Sequence, residues 1–354
     1  MIVSIGMLAY NEAGGIARTI ASLLAQSVFH AGAEQAAVDA WEIVVVPNGC
    51  TDDTARVADD ALRHELAAIS GVPVTHAVRV LAQGGKSNAW NHYIHELSRA
   101  DADVIVMIDT DIEFGHPDTI LNCLAELRNN PHARVVVDLP LKDFVRKPRL
   151  SWTEKISARG SKIQLEGDVG LSGQFYCAET ETLRRVWMPV GLSGEDGFLG
   201  IMIVTDCFRS EPDSRRVARA AYASHYYEGL TDLRSIFHHE LRMAIGTCLN
   251  CYFTWDFLKY ATAPNGPGAG VLIRDQLAAD PTWYRRLIEN QIRSRGGFVI
   301  PRDMVLGRFA SLRGIGRIHA IRRLPLVLVR TLVDIPVFWL ANRKLRNGRA
   351  FGFW

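Results

Sequence analysis

The sequence predicts an α/β fold: a mostly parallel sheet flanked by helices, with a C-terminal helical extension. Three observations predict it. Over the first ~230 residues, short apolar runs alternate with helix-like stretches, the pattern of strands and the helices that cover them. The run at residues 104–108 is apolar throughout, as a central strand covered on both faces must be. From Asp232 onward the pattern is mainly helical. A chain of 354 residues, 48% of them hydrophobic, has core enough for one large domain with an appendage, or for two domains.

Residues 2–6 read as a buried strand and 14–26 as a helix, with Ile16, Ile20, Leu23 and Leu24 at helical spacing. Residues 27–40 are Ala-rich and weakly patterned, hence a loop. A second strand at 42–46 ends in the turn Pro47-Asn48-Gly49, and Asp52 or Asp53 can cap a helix over 54–69. Residues 74–80 form a third strand, 86–98 a helix and 104–108 the fourth strand. Beyond it, 135–137 and 175–177 look like strands, 150–165 like an exposed amphipathic helix, and the aromatic 222–227 like a last strand. The later helices are broken by the loop 263–268. Residues 324–341 are nearly all apolar but carry Pro325, Arg330, Asp334 and Pro336. A spanning helix needs about 20 apolar residues with few charges, so an interfacial or protein-packed helix is predicted here.

A formal net charge of +2 gives no general attraction to nucleic acid. The charge is uneven, however: residues 302–354 hold eleven Lys/Arg against Asp303 and Asp334. A basic tail on a neutral body points to one negative partner. Together with Trp339, Phe351, Phe353 and Trp354, it suits either an anionic membrane surface or a helix packed on protein. Met1 runs straight into apolar residues with no basic leader, so no signal peptide is expected. Six scattered cysteines read as reduced thiols of a cytosolic protein. The Cys248/Cys251 pair lacks two further ligands for zinc.

The chemistry concentrates at strand ends. The strand 104–108 delivers Asp109-Thr110-Asp111 at its carboxyl end, where ligands bind in open α/β sheets. Two acids one residue apart can share a hard cation, Mg²⁺ or Mn²⁺, completed by phosphate oxygens and water. Three segments follow earlier strands. Leu8-Ala9-Tyr10-Asn11-Glu12 can stack a base and bond a ribose. Pro47-Asn48-Gly49-Cys50-Thr51-Asp52 has small residues that admit a ligand and polar ones that can read it. Gly84-Gly85-Lys86-Ser87-Asn88 makes an anion-friendly corner at a helix start. It is no P-loop, because the first required Gly falls at Val80. All four features lie on one rim of the predicted sheet.

In this order and spacing the motifs resemble those of family 2 glycosyltransferases of GT-A fold. The matching segments are Tyr10-Asn11-Glu12, Asn48-Gly49-Cys50-Thr51-Asp52, Gly85-Lys86-Ser87-Asn88-Ala89-Trp90-Asn91, Asp109-Thr110-Asp111 and Gly194-Glu195-Asp196-Gly197. The resemblance covers roughly residues 1–210. It implies a nucleotide-sugar donor, a divalent metal on Asp111 and Asp109, and donor contacts from Leu8, Ala9, Tyr10, Glu12, Asn48, Asp52, Lys86 and Asp109. It also implies Asp196 as the general base of an inverting transfer, positioned by Glu195. Pro47-Asn48 stands where the family often has two acids, which leaves the nucleobase open. The implied organisation is a catalytic domain over 1–230, with a nucleotide-sugar half at 1–112 and an acceptor half at 113–230, then a helical region over 231–354. His239-Glu240-Leu241-Arg242-Met243 lacks the Gln and Trp of processive members, so transfer of a single sugar to a saccharide or lipid-linked acceptor is expected. That work belongs to cell-envelope glycan or glycolipid assembly, in the cytoplasm or peripheral on the inner face of the plasma membrane. The competing readings are a sugar-1-phosphate nucleotidyltransferase, whose Gly-rich basic first loop is missing here, and an inactive nucleotide-sugar-binding scaffold.

Overall fold

The computed structural model describes residues 1–30, 33–147, 169–230, 232–264, 266–310, 312 and 317–348. The predicted amphipathic helix at 150–165 and the aromatic tail residues Phe351, Phe353 and Trp354 lie outside them. The chain divides into two compact units. The first comprises Met1–Val190, Glu195–Gly229 and Ala261–Asp275; the second comprises Gly191–Gly194, Leu230–Tyr260 and Gln276–Trp354.

The first unit is built on one eight-stranded sheet. Its strands are β1 (Ile2–Ala9), β2 (Ala40–Pro47), β3 (Val74–Val78), β4 (Val104–Asp109), β5 (Ile112–Phe114), β6 (Val135–Lys142), β7 (Phe175–Glu179) and β8 (Val217–Tyr227), in the order β3-β2-β1-β4-β7-β6-β8-β5. The half β3-β2-β1-β4 is parallel, as the alternating pattern requires. The other half is mixed, because β7 runs antiparallel to both β4 and β6 while β8 runs parallel to β6. Helices α1 (Ile16–Leu24), α2 (Thr54–Leu66) and α4 (Thr119–Asn129) share one core cluster with alternate residues of β1 and β4. Helix α3 (Lys86–His92) follows β3, and α5 (Glu195–Val204) follows β7.

Two boundaries matter for the site. β1 runs to Ala9 rather than ending at Gly6, because it pairs with β2 as far as Ala9–Pro47 and with β4 as far as Leu8–Asp109. Helix α5 begins at Glu195, so the acidic pair forms its first turn. Acidic side chains are favourable there, beside unpaired backbone N–H groups.

The second unit is helical: α6 (Leu233–Asn250), α7 (Trp283–Ser294), α8 (Arg302–Ala310) and the 30-residue α9 (Arg317–Arg346). Asp232 caps α6 by accepting from the Ser235 N–H at 2.9 Å. Phe253 and Tyr284 pack edge-to-face in its core. All six cysteines are free thiols, and Cys248 is buried.

Candidate active site

The carboxyl ends of the parallel strands meet because their loops are tied together. Asn48 is buried, and its side-chain N–H donates to the Ala9 carbonyl at 2.8 Å while its Oδ1 accepts from the Gly85 N–H at 3.0 Å. Gly49 adopts φ 62°, and a Cβ there would lie 2.7 Å from the Cα of Gly84, so only glycine lets these two loops touch. Asn11 accepts from the Thr51 N–H at 2.8 Å. Asp52 accepts from the N–H groups of Thr54 and Ala13, each at 3.1 Å, and these bonds, that of the Thr54 hydroxyl first, hold its carboxyl below the ordinary range.

These ties fix the surroundings of several residues named from the sequence. Leu8 and Ala9 are buried at the end of β1 rather than lying in the loop after it. Asn48 links three loops, and its amide is already engaged with protein. Asp52 accepts from the Thr54 N–H at the start of α2, the capping role the sequence allows. Tyr10, 57% exposed, remains free to meet a planar ligand.

At the centre of the rim lies a charged cluster. The Lys86 ammonium is 2.8 Å from Asp109 and 3.2 Å from Glu195. Burial alone would lower the pKa of Lys86, but the two carboxylates outweigh it and hold the ammonium above its usual range. Burial lifts Asp109 to about 6, against the pull of Lys86 and with the charge of Asp111 adding to the rise. Glu12 is raised by burial and then by the charges of Asp111, Asp52, Asp109 and Glu228. The rim thus carries more negative charge than Lys86 balances. That is the environment a cation relieves.

Asp111 is exposed at the strand tip, while Thr110 is buried and donates to the Leu8 carbonyl. The two carboxylates therefore differ: Asp109 is tied to Lys86, and Asp111 is open. Among the described residues no three His, Cys, Asp or Glu side chains gather as a closed metal cage. A hard cation that borrows phosphate and water oxygens needs none.

Asp196 sits on the same recess, of about 20 Å³, with Lys86, Asp109, Tyr176 and Glu195. Burial and then the charge of Glu195 raise its pKa. Gly173 makes room for it, since a Cβ at 173 would lie 3.0 Å from the Asp196 Cβ and 3.7 Å from the Lys86 Nζ. Trp90, on α3, donates to the Tyr176 hydroxyl at 2.8 Å beneath the recess. A larger recess of about 850 Å³ opens at the amino end of β4. Its charges are matched there, as in Arg134–Glu179 at 2.7 Å and Arg185–Asp206 at 3.3 Å, and it is remote from the rim.

Sequence reasoning missed two features. Glu228 reaches the acidic rim because β5 pairs with β8, Ile112 opposite Tyr227. His225 and Asp138 form a fully buried pair at 2.8 Å. The other ring nitrogen of His225 is 3.2 Å from the Gln174 Oε1, and the Gln174 carbonyl accepts from the Asp109 N–H at 2.8 Å. The pair thus braces the residue that holds the tip of β4. Neither feature has a local signal, because both depend on pairings across long sequence separations.

The profile of Glycosyl transferase family 2 matches residues 4–181, half of the chain. The chain belongs to glycosyl transferase family 2. The match runs from within β1 to just past the end of β7, and so includes the three loops and the Asp109-Thr110-Asp111 tip. No curated protein gives a significant match. Among solved structures, the chain is similar to a mannosyltransferase from Pyrobaculum calidifontis in complex with GDP-Man and Mn²⁺, at 16% identity, covering 94% of this chain and 86% of that one with a TM-score of 0.49. It is also similar to glucosyl-3-phosphoglycerate synthase from Mycobacterium tuberculosis in complex with Mn²⁺, UDP-glucose and phosphoglyceric acid, at 20% identity, covering 71% and 79% with a TM-score of 0.44. The same enzyme with Mg²⁺ and UDP gives 20% identity, 70% and 79% coverage and a TM-score of 0.43.

Proposed function

We propose that this family 2 enzyme is an inverting, metal-dependent glycosyltransferase. It moves a single sugar from a nucleoside-diphosphate sugar to a saccharide or lipid-linked acceptor in cell-envelope glycan or glycolipid synthesis. Its place is the cytoplasm, against the inner face of the plasma membrane. The observation that carries the reading is the recess where Asp196, Glu195, Lys86 and Asp109 converge beside the open carboxylate of Asp111.

Asp111 would hold a divalent cation, and Asp109 would hold it more loosely because Lys86 competes for its carboxylate. That cation supplies positive charge opposite the departing diphosphate. The chain's own residues do the rest. Lys86 adds a fixed positive charge at the anion-binding corner. Tyr10 offers an exposed ring to the nucleobase. Asp196 takes the proton of the acceptor hydroxyl as that oxygen bonds to the anomeric carbon. The bond from the anomeric carbon to the diphosphate oxygen breaks in the same displacement, and the configuration inverts. The raised pKa of Asp196 makes it a better proton acceptor than an ordinary aspartate. Glu195, held by Lys86, keeps a second charge beside it.

Asp196→Asn should keep the fold and donor binding while lowering transfer by about 10²–10⁴-fold, the usual contribution of a general base. Calorimetric titration of nucleotide sugars beside a turnover assay separates the two effects. Turnover within a few-fold of wild type would overturn the assignment.

A further inference from the structure

Helix α9 carries an apolar stripe that the catalytic reading does not use. Leu324, Leu328, Leu332, Ile335 and Trp339 are all exposed, Leu332 at 66% and Trp339 at 61%. At 3.6 residues per turn these positions fall within an arc of roughly 80° and run about 22 Å along the axis. The buried residues Val327, Val337, Ala341 and Leu345 lie on a different face. That inner face is fastened to the second unit by Arg308 of α8, which pairs with Asp334, and the far end of the helix is held where the Asn342 Oδ1 accepts from the Val299 N–H at 2.7 Å. Asn342 also donates to the Gly297 carbonyl, which brings the loop with exposed Phe298 against the same end of the helix. Arg343 and Arg346 are exposed there, the Arg343 guanidinium 5.9 Å from the centre of the Trp339 ring.

The geometry points to this stripe as a docking face for an anionic lipid bilayer, with α9 lying in the plane of the interface. This deepens the peripheral-membrane part of the proposed function. Leucines and a tryptophan on one line enter the acyl boundary, while the arginines at its end meet the lipid phosphates. Spanning is disfavoured, because it would strip Val337, Ala341 and Leu345 from their packing and separate Arg308 from Asp334. Pro336 supplies no N–H to the Leu332 carbonyl. A second copy of the chain is the poorer occupant, since five side chains fall well short of the roughly 20–30 residues per side of a standard interface. The eleven Lys/Arg against two acids over residues 302–354 would moreover repel their own image.

The test is flotation of the full chain with vesicles of phosphatidylglycerol and phosphatidylcholine, and with phosphatidylcholine alone, at low salt. Wild type should float with the anionic vesicles at least about tenfold better than with the neutral ones. Leu328→Glu/Leu332→Glu should lower anionic flotation by about tenfold or more. Its Tm should stay unchanged, because both sites are exposed. Leu332→Gln/Ile335→Gln should act the same way without adding charge. Wild-type flotation of these variants would overturn the proposal, as would a lipid-free dimer that they disperse. Flotation requires no turnover, so its failure would leave the glycosyl-transfer reading intact, and loss of turnover alone would leave the docking face intact.

Discussion

Gly173→Ala probes the general base without touching it. A Cβ at 173 would lie 3.0 Å from the Asp196 Cβ, whereas carbon atoms rest at about 3.5–4.0 Å. Roughly 0.5–1 Å of overlap must therefore be absorbed. Lys86 lies farther, at 3.7 Å, an ordinary contact that need not yield. The start of α5 is held by its helix, so the strain falls on the Asp196 side chain and the loop before β7. Overpacking of this kind costs about 1–3 kcal/mol, or roughly 1–4 °C in Tm for a protein of this size. Displacing a reacting group by about 1 Å costs on the order of 10²-fold in rate, and the overlap here predicts a fall of about 10- to 50-fold in kcat. Donor affinity should change by less than about twofold, because the Asp111 side of the rim is untouched. The assay is turnover at saturating donor beside a calorimetric titration of the same donor. A kcat within about twofold of wild type would refute the placement of Asp196 at the reacting centre. A loss confined to donor affinity would refute the division of the rim into donor and acceptor sides.

Other perturbations test other parts. Lys86→Met leaves Asp109 and Glu195 without their cation and should cost about 3 kcal/mol, read by urea denaturation, with weaker binding of nucleoside diphosphate. The pKa of Asp196 is raised by burial and by Glu195, so the base is lost by protonation before an ordinary aspartate would be. The acid limb of kcat should lie above about 4, and a pH profile with its acid midpoint at or below that value contradicts the shift. His225→Leu strands the buried Asp138 carboxylate and should cost about 3–5 kcal/mol. The double variant His225→Leu/Asp138→Leu should be more stable than that single variant, and additive losses in a double-mutant cycle would deny the coupling.

What was legible in the sequence follows from how local each signal is. β1, β2 and β4 are short apolar runs with polar loops at their carboxyl ends, so pairing in a parallel half-sheet places those loops on one rim without further information. The Asp109-Thr110-Asp111 tip and Lys86 were readable in this way and the Glu195-Asp196 pair from the family resemblance, and the structure brings Lys86, Asp109, Glu195 and Asp196 into direct proximity. The errors arise where tertiary pairing overrides the local pattern. Leu8 and Ala9 look like loop because Tyr10 and Asn11 follow them, yet β2 and β4 pair beside them and extend the strand. That Asn48 ties the loops after β1 and β3 together is likewise invisible locally, since its partners are backbone groups of Ala9 and Gly85. Glu228, and the pair of His225 with Asp138, come from strands that meet only in the mixed half of the sheet. In α9 the apolar composition was evident, but its division into a packed face and an exposed stripe needed the partners on α6 and α8.

The central claim is that the open carboxylate of Asp111 is the seat of the cation beside the departing diphosphate. Anomalous diffraction from crystals grown with Mn²⁺ and a nucleoside diphosphate tests it most directly. The account predicts a Mn²⁺ peak about 2.0–2.2 Å from an Asp111 carboxylate oxygen, with diphosphate oxygens completing its shell. Mn²⁺ bound elsewhere, with nucleotide in place and Asp111 facing bulk solvent, would contradict it.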